Sequence, residues 1–517
     1  MSTRDGLPIV LTADRTLTAA YRLLFDGMLA ASQTTTAPPS LFGGLLMPQG
    51  RRRGARATVA PLGLRRIEAS LLAGGFTPEE LAVVREDQLD QAIGAATRVI
   101  ALSSGEPTGL GMNSSTMTAI AGGRIYPQAL FRRLLRKVHH LNRHVRAKIV
   151  LGGPGAWQIA GSPALRKELG IDHVVTGYAE RDAAAIFRSL MRGEPAAEVV
   201  PGGWDPAVPI PPIRGASTMG VVEISRGCGL GCSFCTLARV PMVHLPPETI
   251  LADVRTNVAA GLENVAVLSE DFFRYGAEGT KVNPDAPIAL LQGIRQIPQV
   301  RLIQVDHANM VSAAQYDDRQ LETLHDLLVG NDTGRYVWVN VGVETVSEEM
   351  LRNAGAAGKR GREVSQPWGD FCAWHLRRLC RAKFFPMASL LVGLPGERDE
   401  HVRQTLDWVA SLSDQRLAVF PLLYAPVDGQ SPPDPRSLRP SHWELIRACY
   451  RLNFRNVPWI YRDNQAAAGV SLFRRGLLQT MGYGQVLQWK ILLAYHHRSA
   501  RRRARRSQRR VGFSPPP

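Results

Sequence analysis

Three cysteines fall close together in the stretch "SRGCGLGCSFC" (225–235): Cys228, Cys232 and Cys235. Glycines lie between the first two, and Phe234 stands beside the last. The other cysteines, Cys372, Cys380 and Cys449, are isolated. Thiolates at this density bind metal. A structural zinc site wants four ligands, and no histidine lies at finger spacing to supply the fourth. His244 is nearby but belongs to "MVHLPPE", outside the tight loop. An iron–sulfur cluster tolerates one iron without a cysteine, and a substrate can chelate that open iron. The spacing Cys-x3-Cys-x2-Cys therefore points to an iron–sulfur cluster, with a zinc knuckle as the plainer alternative.

Such a loop needs a scaffold, and the surrounding sequence supplies a repeating one. From residue 216 to 430 six apolar strand patterns occur: "VVEISRG", "ENVAVLSEDF", "RLIQVDHA", "YVWVNVGVET", "FPMASLLVGLP" and "RLAVFPLLYAP". Five helical patterns separate them, from "PETILADVRTNVAAG" to "EHVRQTLDWVASL". Six strand–helix units predict a partial (β/α)6 barrel of the TIM type, whose active face lies at the C-terminal ends of its strands. The three-cysteine loop follows the first strand and so falls on that face. From 431 to 497 the pattern is helical.

The first 200 residues alternate in the same manner. "ATVAP", "LAVVRE", "RVIALSS", "KIVLGGP" and "HVVTGY" read as strands, and "YPQALFRRLLRKVHHLNRH" is the clearest amphipathic helix between them. "PIVLTA" near the N-terminus adds a strand, followed by a long irregular insertion up to residue 54. This predicts an α/β, Rossmann-like domain with a parallel sheet. "PGGWDPAVPIPPIRG" (201–215) reads as an interdomain linker.

Composition bounds the class. At 517 residues, 45% hydrophobic and 21% charged, the chain reads as soluble, globular and multidomain. No run is long and apolar enough to span a bilayer, and the N-terminus lacks a signal-peptide pattern. Six cysteines in so long a chain exclude a disulfide scaffold, so a reducing cytoplasm is expected. The net charge is +17, and eight of those charges are arginines between Arg498 and Arg510. Residues 498–517 thus read as a basic, disordered tail. It either stays solvated or contacts a polyanion such as RNA.

The cysteine spacing, placed after a first barrel strand, closely resembles the signature of the radical S-adenosylmethionine (SAM) superfamily. The resemblance implies that Cys228, Cys232 and Cys235 hold a four-iron four-sulfur cluster whose fourth iron is ligated by SAM. "LSEDFF" resembles the segment that meets the SAM amino group, which would assign Ser269, Glu270 and Asp271 there. Glu344 in "VNVGVETVS" matches a glutamate near the SAM ribose or methionyl group. Gly393 lies in "ASLLVGLPGE", which resembles the segment packed on adenine.

The first domain, with "VIALSS", "IVLGGPGA" and "DHVVTGYAERDAAAIF", resembles the cobalamin-binding domain of the class B radical SAM enzymes. That resemblance puts Ser103, Ser104, Gly152 and Gly153 along the dimethylbenzimidazole tail. The cobalamin signature Asp-x-His-x-x-Gly is absent. Its expected place is the turn "APLGLRRIE", which would set Leu62, Gly63, Leu64 and Arg65 beneath the cobalt, with no histidine ligand.

The family implies cleavage of SAM to a 5′-deoxyadenosyl radical, hydrogen abstraction from an unactivated carbon, and methyl transfer to that carbon through cobalamin. The substrate would be a small molecule, peptide or protein, and a flavodoxin or ferredoxin would supply electrons. Two alternatives share the motifs: a cobalamin-dependent ring-forming enzyme, and a cobalamin-free radical SAM enzyme that modifies RNA. The latter class often carries a second cysteine set and a C-terminal β-barrel. Here the remaining cysteines are scattered and the C-terminal region reads as helical.

Overall fold

The computed structural model describes residues 5–50, 54–361, 364–425 and 434–511. The chain divides into two compact units. The first comprises residues 1–110, 123–223 and 245–266, and the second 111–122, 224–244 and 267–517. The division does not fall at 201–215. That proline-rich stretch belongs to the first unit, where Ile210 and Ile213 are buried and the Ile213 amide donates to Asp253 Oδ1 at 2.9 Å.

The first unit is built on a six-stranded sheet. In spatial order its strands are Leu81–Val83, Ile9–Ala13, Val99–Ser103, Lys148–Gly152, His173–Thr176 and Val199–Pro201. All the pairings are parallel. Side chains of a strand alternate between faces, so a sheet covered on both sides reads as a continuous apolar run. "IVLTA" does this: Ile9 and Leu11 enter one core with Val99 and Ala101, and Val10 enters the other with Ile100 and Phe131. The helix Tyr126–Asn142 lays Phe131, Leu134, Leu135 and Val138 on that second face.

Two features differ from the sequence reading. "ATVAP" does not join this sheet: Val59–Ala60 pairs in parallel with Ala216–Ser217 in a separate two-stranded sheet. Ala57 and Ala60 still pack in the core beside this sheet, but "PIVLTA" takes the place between Leu81–Val83 and Val99–Ser103. The insertion before residue 54 is also not wholly irregular, since it contains the helices Leu24–Ser32 and Pro39–Leu46.

The barrel strands from Leu302–Val305 onward fall in the second unit. Val337–Glu344, Phe384–Val392 and Ala418–Leu423 pair in parallel, and His307–Ala308 extends that sheet. The Ile224 amide reaches the Leu268 carbonyl at 3.0 Å. Helices Asp285–Arg295, Asp318–Val329, Trp368–Arg381 and Asp399–Ser411 stand between successive strands, as their apolar periodicity predicts. The C-terminal region is two long helices, Pro440–Ala467 and Leu472–Val511. The arginine-rich segment expected to be a disordered tail therefore continues a helix through Val511; residues 431–433 and 512–517 of the predicted C-terminal segments lie outside the described residues. Among the described residues no helix is long and apolar enough to cross a membrane.

Candidate cluster and SAM site

The cysteine loop is held by its own backbone. The Cys228 amide donates to Val240 O at 3.0 Å, and the Gly231 amide to Ala238 O at 2.9 Å. Arg274 clamps it from outside, donating to the carbonyls of Cys228 at 2.9 Å and Gly279 at 2.8 Å. Gly227 enters the loop at φ +74°, and a Cβ there would lie 2.4 Å from the Pro241 carbonyl. Only glycine accepts both the left-handed backbone and that approach.

Cys228 is half-buried, Cys232 buried and Cys235 exposed. Burial raises the Cys228 thiol and pushes the Cys232 thiol up to about 11. Loading a metal centre must therefore release protons here. Among the described residues no three His, Cys, Asp or Glu side chains converge as one mononuclear ion requires. A four-iron cluster spreads its thiolates over separate irons, so three thiols on one glycine-rich loop fit it better than they fit zinc.

A second wall of the site went unnoticed in the sequence. The segment Ala354–Lys359 packs directly on the cysteine loop. Ser233 Oγ donates to the Ala354 carbonyl at 2.7 Å, and a Cβ on Gly358 would lie 2.1 Å from the Leu230 carbonyl. At its end Lys359 donates to Glu344 Oε1, while Ser389 Oγ donates to Glu344 Oε2 at 3.3 Å. Burial works against the Lys359 charge, yet Glu344 and then the Cys232 thiolate outweigh it and hold the ammonium above its usual pKa. Glu344 has φ +67° where the register slips after Gly342. A glutamate in that conformation is strained, and such strain persists where surrounding structure fixes it, often at a functional site. "GAAGK" has neither a motif nor a helical period to mark it. Its only signal was a lysine in a glycine- and alanine-rich turn after the fourth strand. Gly358→Ala should shift the cysteine loop and cost about 1–3 kcal/mol, as over-packing does. It should show both a lower unfolding midpoint and reduced iron content after reconstitution. Wild-type values in both would remove this contact from the account.

The remaining SAM candidates separate. Asp271 is fully buried and spends its carboxylate inside the fold, accepting from the Asn309 amide at 3.0 Å and Ser312 Oγ at 2.6 Å. Burial pushes it up to about 6. Ser269 Oγ is bonded to Ser225 Oγ at 2.6 Å and accepts from the Asp271 amide at 3.1 Å. These two residues hold the strand end, and the half-buried Glu270 is the carboxylate of the three left nearer the surface. Gly393 donates its amide to Glu397 Oε2 at 2.8 Å, closing the turn after the fifth strand.

In the first unit, Ser103 and Gly152 are register partners at the C-terminal ends of adjacent strands. A Cβ on Gly153 would lie 2.5 Å from Ser103 Oγ, and the Ser104 hydroxyl is buried without a partner. A free hydroxyl beside a glycine at this edge fits a ligand in the crevice where open parallel sheets bind them. The other cobalamin assignment does not fit. Leu62–Arg65 opens the helix Leu62–Ala73, which packs on one face of the six-stranded sheet but follows a strand, Val59–Ala60, that pairs outside it. Leu64 is in the core, and Arg65 donates to Glu68 at 2.7 Å and to the carbonyls of Ala57 and Ala216 at 2.7 and 3.0 Å. Half-buried Leu62 and exposed Gly63 share that displaced turn.

This arrangement of parallel strands, with a three-cysteine loop after the first of them, defines a radical SAM domain. Residues 222–409 match the family model described as the radical SAM superfamily. The cofactors that go with that domain are a four-iron four-sulfur cluster and SAM. Among curated proteins the chain is 27% identical over 264 residues to the ribosomal protein uS12 methylthiotransferase RimO of Sorangium cellulosum, covering 49% of this chain and 47% of the relative. It is 24% identical to the tRNA-2-methylthio-N(6)-dimethylallyladenosine synthase of Thermus thermophilus, covering 53% and 55%. The chain thus spans about half the length of these relatives. Among solved structures it is similar to the radical SAM methyltransferase TsrM from Kitasatospora setae with cobalamin and a [4Fe-4S] cluster bound. There the TM-score is 0.51 and the identity 15%, over 81% of this chain and 75% of that one. The same enzyme with tryptophan and a SAM analogue gives a TM-score of 0.52 at 17% identity, over 80% and 73%. That likeness concerns the fold, an α/β chain with parallel sheets and a helical C-terminal region.

Proposed function

We propose that the chain is a cobalamin-dependent radical SAM enzyme that methylates an unactivated carbon of a peptide, protein or natural-product substrate. The observation that carries this reading is the partnerless, buried Ser104 hydroxyl beside Gly153 at the open edge of a parallel sheet, in a chain that also holds a radical SAM domain. The similarity to a cobalamin-bound methyltransferase over both parts of the chain supports it. When bound, the cluster would supply the electron that cleaves SAM, and the corrin would supply the methyl group. The chain's own share is placement. Cys228, Cys232 and Cys235 would hold three irons and leave one open. Glu344 and Glu270 would face the cationic and hydroxyl groups of SAM, since carboxylates accept from both. Lys359 would keep Glu344 oriented and balance the thiolate charge. Ser103, Ser104, Gly152 and Gly153 would line the cobalamin tail. Asp271 would act through the Asn309–Ser312 turn rather than on SAM itself.

The curated relatives favour a second reading, methylthiolation of RNA or a ribosomal protein. A single experiment separates the two. The anaerobically reconstituted protein, given hydroxocobalamin, a strong reductant and SAM bearing a deuterated methyl group, should yield a corrin carrying the label. Unlabelled corrin would overturn methyl transfer through cobalamin while leaving the radical SAM domain in place.

A further inference from the structure

The last acidic residue of the chain is Asp463, and every later charge is positive. Most of that stretch is the helix Leu472–Val511. One side of it is held against the helix Pro440–Ala467. Trp489 stacks on Tyr450 with centroids 5.0 Å apart, His496 stacks on Trp443 at 4.7 Å, and Arg447 bonds His497 at 2.8 Å. Leu478, Leu493 and Ala500 are buried on that same side. With 3.6 residues per turn, the opposite side carries Phe473, Leu477, Leu487, Ile491 and Tyr495 in one line. All five are exposed, Phe473 by 78% and Ile491 by 63%. The line continues into exposed Arg498, Arg502 and Arg506, with Arg501 and Arg505 beside it. Exposed Thr480 and Gly484 interrupt the line between Leu477 and Leu487, so the surface is two apolar patches, Phe473–Leu477 and Leu487–Tyr495, the second followed end to end by a basic stripe.

We infer that this face docks an acidic amphipathic polypeptide segment, with its apolar part on Phe473–Tyr495 and its carboxylates on Arg498–Arg506. The inference goes beyond the reaction proposed above and does not depend on it. Exposed apolar side chains grouped in this way, next to a row of arginines, mark an interaction site. A second copy would bring arginines against arginines, or against leucines, with no acid on either helix to offset them. A nucleic acid would neutralise the basic half and leave the apolar half wet. On an anionic membrane the arginines, lying in line with Ile491, would be carried toward the depth of the apolar side chains instead of flanking them.

The test uses the full-length protein and a labelled synthetic helical peptide, with leucines at i, i+3 and i+4 in one half and glutamates in the other. Fluorescence anisotropy should show saturable binding that weakens as salt is raised. Leu487→Glu with Ile491→Glu should weaken it at least tenfold, and so should Arg501→Glu with Arg502→Glu. Leu487→Ser with Ile491→Ser serves if the first pair perturbs the helix by circular dichroism. A peptide of the same composition in scrambled order should bind at least tenfold more weakly. Equal binding by the apolar-half variants, tighter binding of single-stranded RNA, binding of phosphatidylserine vesicles without the peptide, or a dimer that the same variants dissociate would each overturn the proposal.

Discussion

Replacing Cys228, Cys232 and Cys235 together by alanine should abolish both the iron–sulfur absorbance and SAM cleavage. Iron should fall from about four atoms per chain to near none, because on this assignment each thiolate would hold a different iron and no other described side chains gather to replace them. Cys372 and Cys380 are buried on the helix Trp368–Arg381 and Cys449 on Pro440–Ala467, their thiols raised by desolvation, and replacing any of them should leave the iron in place. Full iron content in the triple variant would contradict the assignment of the loop.

Lys359→Met is expected to have the next largest effect. The ammonium is mostly buried against a Glu344 side chain that is only 6% exposed. Removing one partner leaves an unpaired buried charge, a loss of about 3–5 kcal/mol. The unfolding midpoint should therefore fall even before iron is loaded. A cation beside Cys232 also favours an added electron on a cluster held there. In the variant that retains its iron, the reduction potential should move to more negative values. Lys359→Arg should recover most of the potential, since it restores the charge, but less of the stability, since the fork must fit a site shaped for a point charge. An unchanged potential in Lys359→Met would show that the lysine serves packing alone.

The sequence made the barrel legible because each of its strands is a short apolar run closed by a helix with a clean period. "FPMASLLVGLP" became Phe384–Val392, and "YVWVNVGVET" became Val337–Glu344. The cysteine loop was legible because thiols, glycines and an aromatic residue in that spacing have few other uses. What sequence could not rank was competition between strands. "ATVAP" and "PIVLTA" have similar local preferences, and only tertiary packing gives the sheet to Ile9–Ala13 and sends Val59–Ala60 to Ser217. Taking "ATVAP" as the first strand set the expected cobalt face at Leu62–Arg65. It did not change the ligand prediction, because the residues after the real first strand, Asp14 to Thr18, also contain no histidine. Asp14 itself is fully buried with Oδ2 unpartnered, and burial pushes it up to about 7. Likewise, Asp271 looked like a ligand for an ammonium because sequence shows residue type, whereas its two hydrogen bonds to Asn309 and Ser312 show what it holds.

The most direct measurement of the central claim is cobalamin binding by the anaerobically purified chain, followed by electron paramagnetic resonance of its cob(II)alamin form. The account predicts about one corrin per chain, reduced to near none when Gly153→Leu fills the space beside Ser103 and Ser104. It also predicts a spectrum without nitrogen superhyperfine splitting from an axial imidazole, since no histidine follows either candidate strand. A chain that binds no cobalamin would contradict the claim, leaving a cobalamin-free radical SAM enzyme, and nitrogen splitting in the wild-type spectrum would show that a histidine elsewhere reaches the cobalt.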